Sequence, residues 1–233
     1  MHNAAVTPPG IGRFTHQSHY PIREQVQRMH KTESAAGPAY EEKVIIALFG
    51  ALWGLMEITL GALLKGTRLP FPGAILACLA AVIALTGRYF VRRRGAILMM
   101  GGVAALLKIF SVGTVIAGPF FAILLEALFA ESIVALLGRG RLGCILSGAV
   151  MVSYTVLHPF FTQGILYGGR IYEVYWATAR QAGQWLHLEI RHLALFIILY
   201  LGAHAIAGGL AGWFAFHLAR SSEKELERME QAA

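Results

Sequence analysis

The chain reads as an all-α integral membrane protein, a six-transmembrane-helix bundle with both termini cytoplasmic. Three observations predict this. Six long apolar stretches recur along its 233 residues. Hydrophobic residues make up 56% and charged residues only 14%, a membrane-like balance rather than a soluble-globular one. Lys and Arg also alternate in number from one connecting loop to the next, as the positive-inside rule requires.

The elements follow in chain order. Residues 1–41 form a polar arm that bears His and Pro and lacks an apolar run of signal-peptide length, so the first membrane helix is expected to act as the targeting signal. Within the arm, Glu24 to Lys31 predicts a short helix ahead of a loop at Gly37-Pro38. His2, His16, His19 and His30 lack metal-ligand spacing and carboxylate or thiol partners, so no metal site is assigned. The membrane domain, 42–219, contains the apolar stretches Val44–Leu64, Pro70–Gly87, Gly95–Val112, Pro119–Gly138, Gly143–Phe161 and His192–Ala219. Each is near the roughly 20 residues that cross a hydrocarbon core of about 30 Å at ~1.5 Å per residue. The run from Gly95 to Gly138 holds no Arg and is too long for one span. Ser111-Val112-Gly113-Thr114 and Gly118-Pro119 supply the break. The tail, 220–233, reads as a polar continuation of the last helix, with Glu223, Lys224, Glu225, Glu227 and Arg228 suited to a solvated face.

Cations fix the orientation. Arg13, Arg23, Arg28, Lys31 and Lys43 precede the first span; Arg88, Arg92, Arg93 and Arg94 fill loop two; Arg139 and Arg141 fill loop four; and Arg220, Lys224 and Arg228 follow the last span. The opposite side carries only Lys65 and Arg68 in loop one, nothing in loop three, and Arg170, Arg180 and Arg191 in loop five. Loops one, three and five are therefore expected outside, in a multi-pass protein of the cell's inner (plasma) membrane. The net charge of +7 is topological on this reading and implies no nucleic-acid partner. Cys78 and Cys144 fall at different depths of different spans, which argues against a disulfide.

Loop five, Thr162 to Arg191, is long and rich in aromatics: Tyr167, Tyr172, Tyr175, Trp176 and Trp185, with His187. Ile171 to Leu186 predicts an amphipathic helix. It suits an interfacial anchor at headgroup level and equally a lid over an outward-facing pocket, and the two are compatible.

Helix one carries small residues on one face: Ala47, Gly50, Ala51 and Gly54, with Gly61 further on. Small residues permit close helix approach where lipid removes the hydrophobic drive, either within the chain's own bundle or against a partner. With the size of the chain, its six spans, both ends inside, Ala47-x-x-x-Ala51 and the loop Leu64-Lys65-Gly66-Thr67-Arg68-Leu69-Pro70, the region from about Glu42 to Ala219 resembles the substrate-binding S components of energy-coupling factor transporters. The resemblance implies that Ala47, Gly50, Ala51 and Gly54 dock on a transmembrane coupling subunit, that separate ATPase subunits power transport, and that loops one, three and five close over a small water-soluble vitamin or related metabolite.

Independently of the resemblance, ionisable groups inside the apolar stretches demand a partner, a cavity or a purpose. Counting ~1.5 Å per residue from the outer helix ends puts Glu57 and Glu126 about 10 Å deep and Lys108 about 6 Å deep, with His158 near the outer mouth. Glu131 and His204 lie deeper, at about 18 Å. Two readings stay open: an ion pair of Lys108 with Glu57 or Glu126 that holds helices together, or a ligand pocket lined by Glu57, Lys108, Glu126 and His158, with Lys65 and Arg68 above and Tyr167 and Trp176 contributed by loop five. Lys65, Arg68 and Lys108 favour an anionic solute and the two glutamates a cation, so the ligand stays undetermined. Cys78, about 12 Å below the outer end of helix two, has the chemistry to meet a soft metal or a corrinoid cobalt, though an ordinary buried thiol explains it as well. No cofactor is expected. Neither HExxH, GxSxG, paired His at metal spacing nor a P-loop is present, which argues against an enzyme. The alternative class is an accessory or assembly subunit of a larger membrane complex with no ligand of its own; an intramembrane enzyme ranks below both.

Overall fold

The computed structural model describes residues 22–67, 71–110, 117–185 and 190–232. Every regular element among them is an α-helix: α1 Ile22–Thr67, α2 Pro72–Phe90, α3 Ala96–Ile109, α4 Ala117–Leu137, α5 Arg141–Tyr167, α6 Arg170–Trp185 and α7 Ile190–Ala232. The chain divides into two units, Met1–Ala39 and Tyr40–Ala233. In the first, residues 22–39 are helical, including Gly37 and Pro38, where a loop was expected.

In the second unit, five helices are long and apolar enough to cross a membrane: Tyr40–Leu64, Pro72–Phe90, Gly118–Leu137, Arg141–Ile165 and Ala194–Ala232. The remaining apolar helix, α3, has 14 residues, about 21 Å at ~1.5 Å per residue. It stops before the expected end because Phe110 leaves the helix as a turn, its N–H bonded to the Leu107 carbonyl at 3.1 Å. The fifth span was drawn too short, for α5 continues through Pro159 to Tyr167 before α6 begins.

Burial sorts side chains as lipid would demand. Leu48, Leu55, Leu136 and Ile198 are exposed on the outside, while Trp53, Leu85, Ile97, Met100 and Met151 fill the centre. α2 runs through the middle on a face of small residues, Ala77, Ala80, Ala81 and Ala84, and packs against α3, α5 and α7. α4 lies between α3 and α5, and α6 rests on the ends of α5 and α7.

The tightest approach joins α5 and α7. A side chain at Gly148 would collide with the Gly208 carbonyl, one at Gly208 with the Gly148 carbonyl, and one at Gly212 with the Cys144 carbonyl. Gly208-x-x-x-Gly212 is thus a small-xxx-small contact that lets two backbones touch. On α1, Gly50 and Gly54 work similarly: a Cβ at Gly50 would sit 2.8 Å from Val103 Cβ and one at Gly54 2.8 Å from Leu107 Cδ1, both on α3. Ala47 and Ala51 are exposed. The small-residue stripe read as one docking face therefore splits, because Gly50 and Gly54 face the chain's own α3 and only the alanines look outward.

Candidate functional site

Charged residues gather at two places. The first lies at the arginine-rich end, where loops two and four meet. Gly95, at φ +83, starts α3 in the left-handed region that favours glycine. The Glu131 carboxylate, from α4, accepts hydrogen bonds from Gly95 N at 2.7 Å and Ile97 N at 2.9 Å, and so caps the positive end of α3. Arg88 Nε lies 3.4 Å from the same carboxylate, and Arg88 Nη1 donates to the Val91 carbonyl. Arg139 Nη1 donates to the Tyr89 carbonyl at 3.0 Å, satisfying the last turn of α2. Arg92 N donates to Glu42 at 2.8 Å, and Tyr89 Oη to Glu223 at 2.7 Å. These contacts close helix ends, so this cluster reads as structural.

The second place lies toward the α6 end, and four helices build it. Lys108, in the last turn of α3, donates to the Glu57 carbonyl at 2.6 Å and lies 3.4 Å from Glu57 Oε2. Gly61, one turn beyond Glu57, leaves the space: a Cβ there would meet Lys108 Nζ at 3.2 Å. Glu126 of α4 is 7% exposed. α4 packs against α5, whose Tyr154 is buried. From Tyr154 a ladder climbs α5 at a spacing of four residues. Tyr154 Oη lies 3.1 Å from His158 Nδ1, Thr162 Oγ1 lies 3.0 Å from His158 Nε2, and Thr162 Oγ1 donates to the His158 carbonyl at 2.7 Å. A consistent set of protons has the tyrosine hydroxyl donating to Nδ1 and Nε2–H donating to the threonine oxygen.

Trp53 Nε1, fully buried one turn before Glu57 on the same face of α1, is unpaired among the described residues. Buried groups of this kind are rare and call for a ligand group or a water.

Of the residues singled out in the sequence, Glu57 and Lys108 are in contact, Glu126 is buried on α4, and His158 pairs with Tyr154 and Thr162 of its own helix. Tyr167 is exposed at the end of α5, and Trp176 is exposed on α6, where Arg180 lies 5.6 Å from its ring centroid. Arg68 and the side chain of Lys65 lie outside the described residues, as do Trp185 and Tyr175 as side chains and His187 altogether. Cys78 is a half-buried free thiol, and no group of three or more His, Cys, Asp or Glu is placed to hold a metal among the described residues. His204 belongs elsewhere, packed on Tyr200 at 4.3 Å and on Phe71 at 6.2 Å. Sequence reasoning missed Tyr154 and Thr162; their phase with His158, four residues either side, was the available signal.

α6 is pinned over this end by Tyr172, whose hydroxyl donates to the Phe160 carbonyl at 3.2 Å and occupies the room left by Gly164. No protein-family model, curated protein or solved structure matches the chain.

Proposed function

We propose that the chain is the membrane-embedded substrate-binding subunit of an uptake system, built on the plan of an energy-coupling factor S component. One observation carries this reading: α1, α3, α4 and α5 each place a polar group toward one end of an otherwise apolar bundle, and Trp53 Nε1 there has no partner among the described residues. Charged and polar groups at membrane depth are unfavourable by a few kcal/mol each on insertion scales, roughly 2.5 to 3.5 for a charge at mid-bilayer, so they are kept where they serve a site.

In this reading a small water-soluble metabolite enters from the outer face, which is the α6 end, and the α6 helix covers it. Glu57, Lys108, Glu126 and His158 recognise it, with Lys65, Arg68, Tyr167 and Trp176 at the mouth. The exposed Ala47 and Ala51 face docks on a transmembrane coupling subunit, and ATP is hydrolysed by separate subunits. The chain itself performs no chemistry.

Native mass spectrometry of the protein purified from its own membranes in mild detergent tests this. The expected result is a bound mass of metabolite size together with copurifying coupling and ATPase subunits. An empty chain in stoichiometric complex with unrelated membrane proteins would replace this reading with that of an accessory subunit. Lys108→Ala should abolish ligand retention while the protein stays monodisperse, and retained ligand would remove the cluster from the site.

A further inference from the structure

We propose that the crease between α5 and α7 is a binding site for an anionic phospholipid, with its phosphate held at Arg141 and one acyl chain laid along the two helices.

Two hollows of about 580 and 570 Å³ lie along this crease and meet at Ala149 of α5 and Ala205 of α7, which line both. The first runs from Arg141 and Trp213 along Ile145 and Gly209. The second continues past Ser153 and Leu157 to Phe161 and Ile198. At ~1.5 Å per residue Ala149 lies about 12 Å from Arg141 along α5, and Phe161 about 30 Å. The first hollow therefore approaches the half-thickness of a hydrocarbon core of about 30 Å, and the two together follow the whole span.

The glycines of α7 bear on what fills the space. Gly208 and Gly212 serve where the helices touch, since an added Cβ at either would strike a carbonyl of α5. Gly202 and Gly209 do not. A Cβ at Gly209 would meet Ile145 Cγ2 at an ordinary 3.6 Å, and one at Gly202 would have no described atom within 4 Å beyond the backbone of its own helix. Both line the hollows instead. Glycine is a poor helix former, so two that no helix contact requires point to an occupant from outside the chain that lies close to the backbone.

The charge of that occupant follows from the end at which the crease begins. Arg88 and Arg139, at the same arginine-rich end, are engaged by the Glu131 carboxylate and the Tyr89 carbonyl. Arg141 is exposed, lines the first hollow and stands in the first turn of α5, where the helix dipole adds positive charge. Trp213 lines the same hollow from α7, and an indole with an apolar body and one N–H suits headgroup level. A guanidinium at the start of a helix, with an apolar crease below it, complements a phosphate that carries hydrocarbon, as basic pockets between membrane helices do. A helix of a partner protein would fill the apolar part but gives no reason for a cation at its end. The site requires only that the bundle lies in a bilayer and does not depend on the solute proposed above.

Quenching of tryptophan fluorescence by brominated lipids tests the site on the full chain in vesicles. The bromine is carried either by phosphatidylglycerol or by phosphatidylcholine with the same acyl chains, at the same mole fraction, and the part of the signal lost in Trp213→Phe reports the crease. That part should behave as if phosphatidylglycerol were enriched about fivefold over phosphatidylcholine, the scale of one Lys or Arg at an anionic surface. Arg141→Ala should remove the enrichment, and so should Gly209→Leu, which fills the crease. Arg93→Ala, exposed at the same end but outside the hollows, should preserve it. Equal quenching by the two lipids in the unaltered chain overturns the site, and quenching by neither means that protein covers the crease. Enrichment unchanged in Arg141→Ala overturns the headgroup contact, and enrichment unchanged in Gly209→Leu overturns the crease as the seat of the acyl chain. An equal loss in Arg93→Ala would replace the site with a diffuse positive surface.

Discussion

A single carboxylate at position 131 meets two backbone N–H groups of α3 and a guanidinium of α2, all away from water. Glu131→Ala would leave Arg88, itself 4% exposed, as a buried charge without a counter-ion and would uncap α3. Breaking a buried pair from one side costs roughly 3 to 5 kcal/mol, so this variant should be strongly destabilised in chemical denaturation from mixed micelles. The double variant Arg88→Met with Glu131→Leu should be less destabilised than Glu131→Ala alone, because no orphan charge remains. If the two lose the same stability, the cost lies in the lost cap rather than in the unpaired arginine. At the other cluster, Gly61→Val should crowd Lys108 Nζ, which lies 3.2 Å from the position of the first added carbon. It should displace the Lys108–Glu57 pair without introducing any charge, and solute retention should fall as it does for Lys108→Ala. Full retention would show that Lys108 is free to repack.

Between helices, glycine decides who may approach whom. A methyl at Gly208 or Gly212 would strike backbone on α5 rather than the end of a flexible side chain. Gly212→Ala should therefore cost about 1 to 3 kcal/mol or more, read as a lowered thermal midpoint in detergent. On α1 the expectation separates neighbours: Gly54→Leu should destabilise by driving into Leu107 and Ala104, whereas Ala51→Trp, on the exposed face, should leave monomer stability within about 0.5 kcal/mol and affect only partner docking. Both variants destabilising equally would mean that the alanine face is covered within the chain. These contrasts also mark what the sequence could tell. Charges inside apolar runs are visible by their rarity, so Glu57, Lys108, Glu126 and His158 were legible. The pairing of Lys108 with Glu57 was left open, since it depends on how α1 is rotated against α3, which the collisions at Gly50 and Gly54 set. Tyr154 and Thr162 look like ordinary residues of an apolar helix until His158 is placed between them. The Gly208-x-x-x-Gly212 contact was overlooked for a similar reason, because spacing alone does not say which small-residue pair faces a partner. The fifth span was ended at Phe161, where the polar Thr162 and Gln163 follow, yet α5 continues to Tyr167.

At the scale of the whole molecule the open question is how often the chain crosses, because α3 is only 14 residues long. Arg139, just before α5, donates to the Tyr89 carbonyl at the end of α2, so loops two and four meet at one end of the bundle. α4, reaching loop four, is long enough to cross a membrane, about 31 Å for its 21 residues at ~1.5 Å each. If α4 crosses, the proposed six-span reading requires α3 to supply the greater part of a further crossing even though it is shorter than the hydrocarbon core. Local thinning of the bilayer accommodates such a mismatch at a fraction of a kcal/mol per Å. Cysteine labelling tests the result. With Cys78 and Cys144 replaced by Ala, Arg93→Cys in loop two and Thr178→Cys on α6 both present an exposed position. A membrane-impermeant maleimide should label Thr178→Cys and spare Arg93→Cys in intact cells, and inverted vesicles should reverse the pattern. The reverse pattern in intact cells would turn the bundle over and put the proposed solute mouth inside, whereas labelling of both from one side would require an odd number of crossings between positions 93 and 178 to fail.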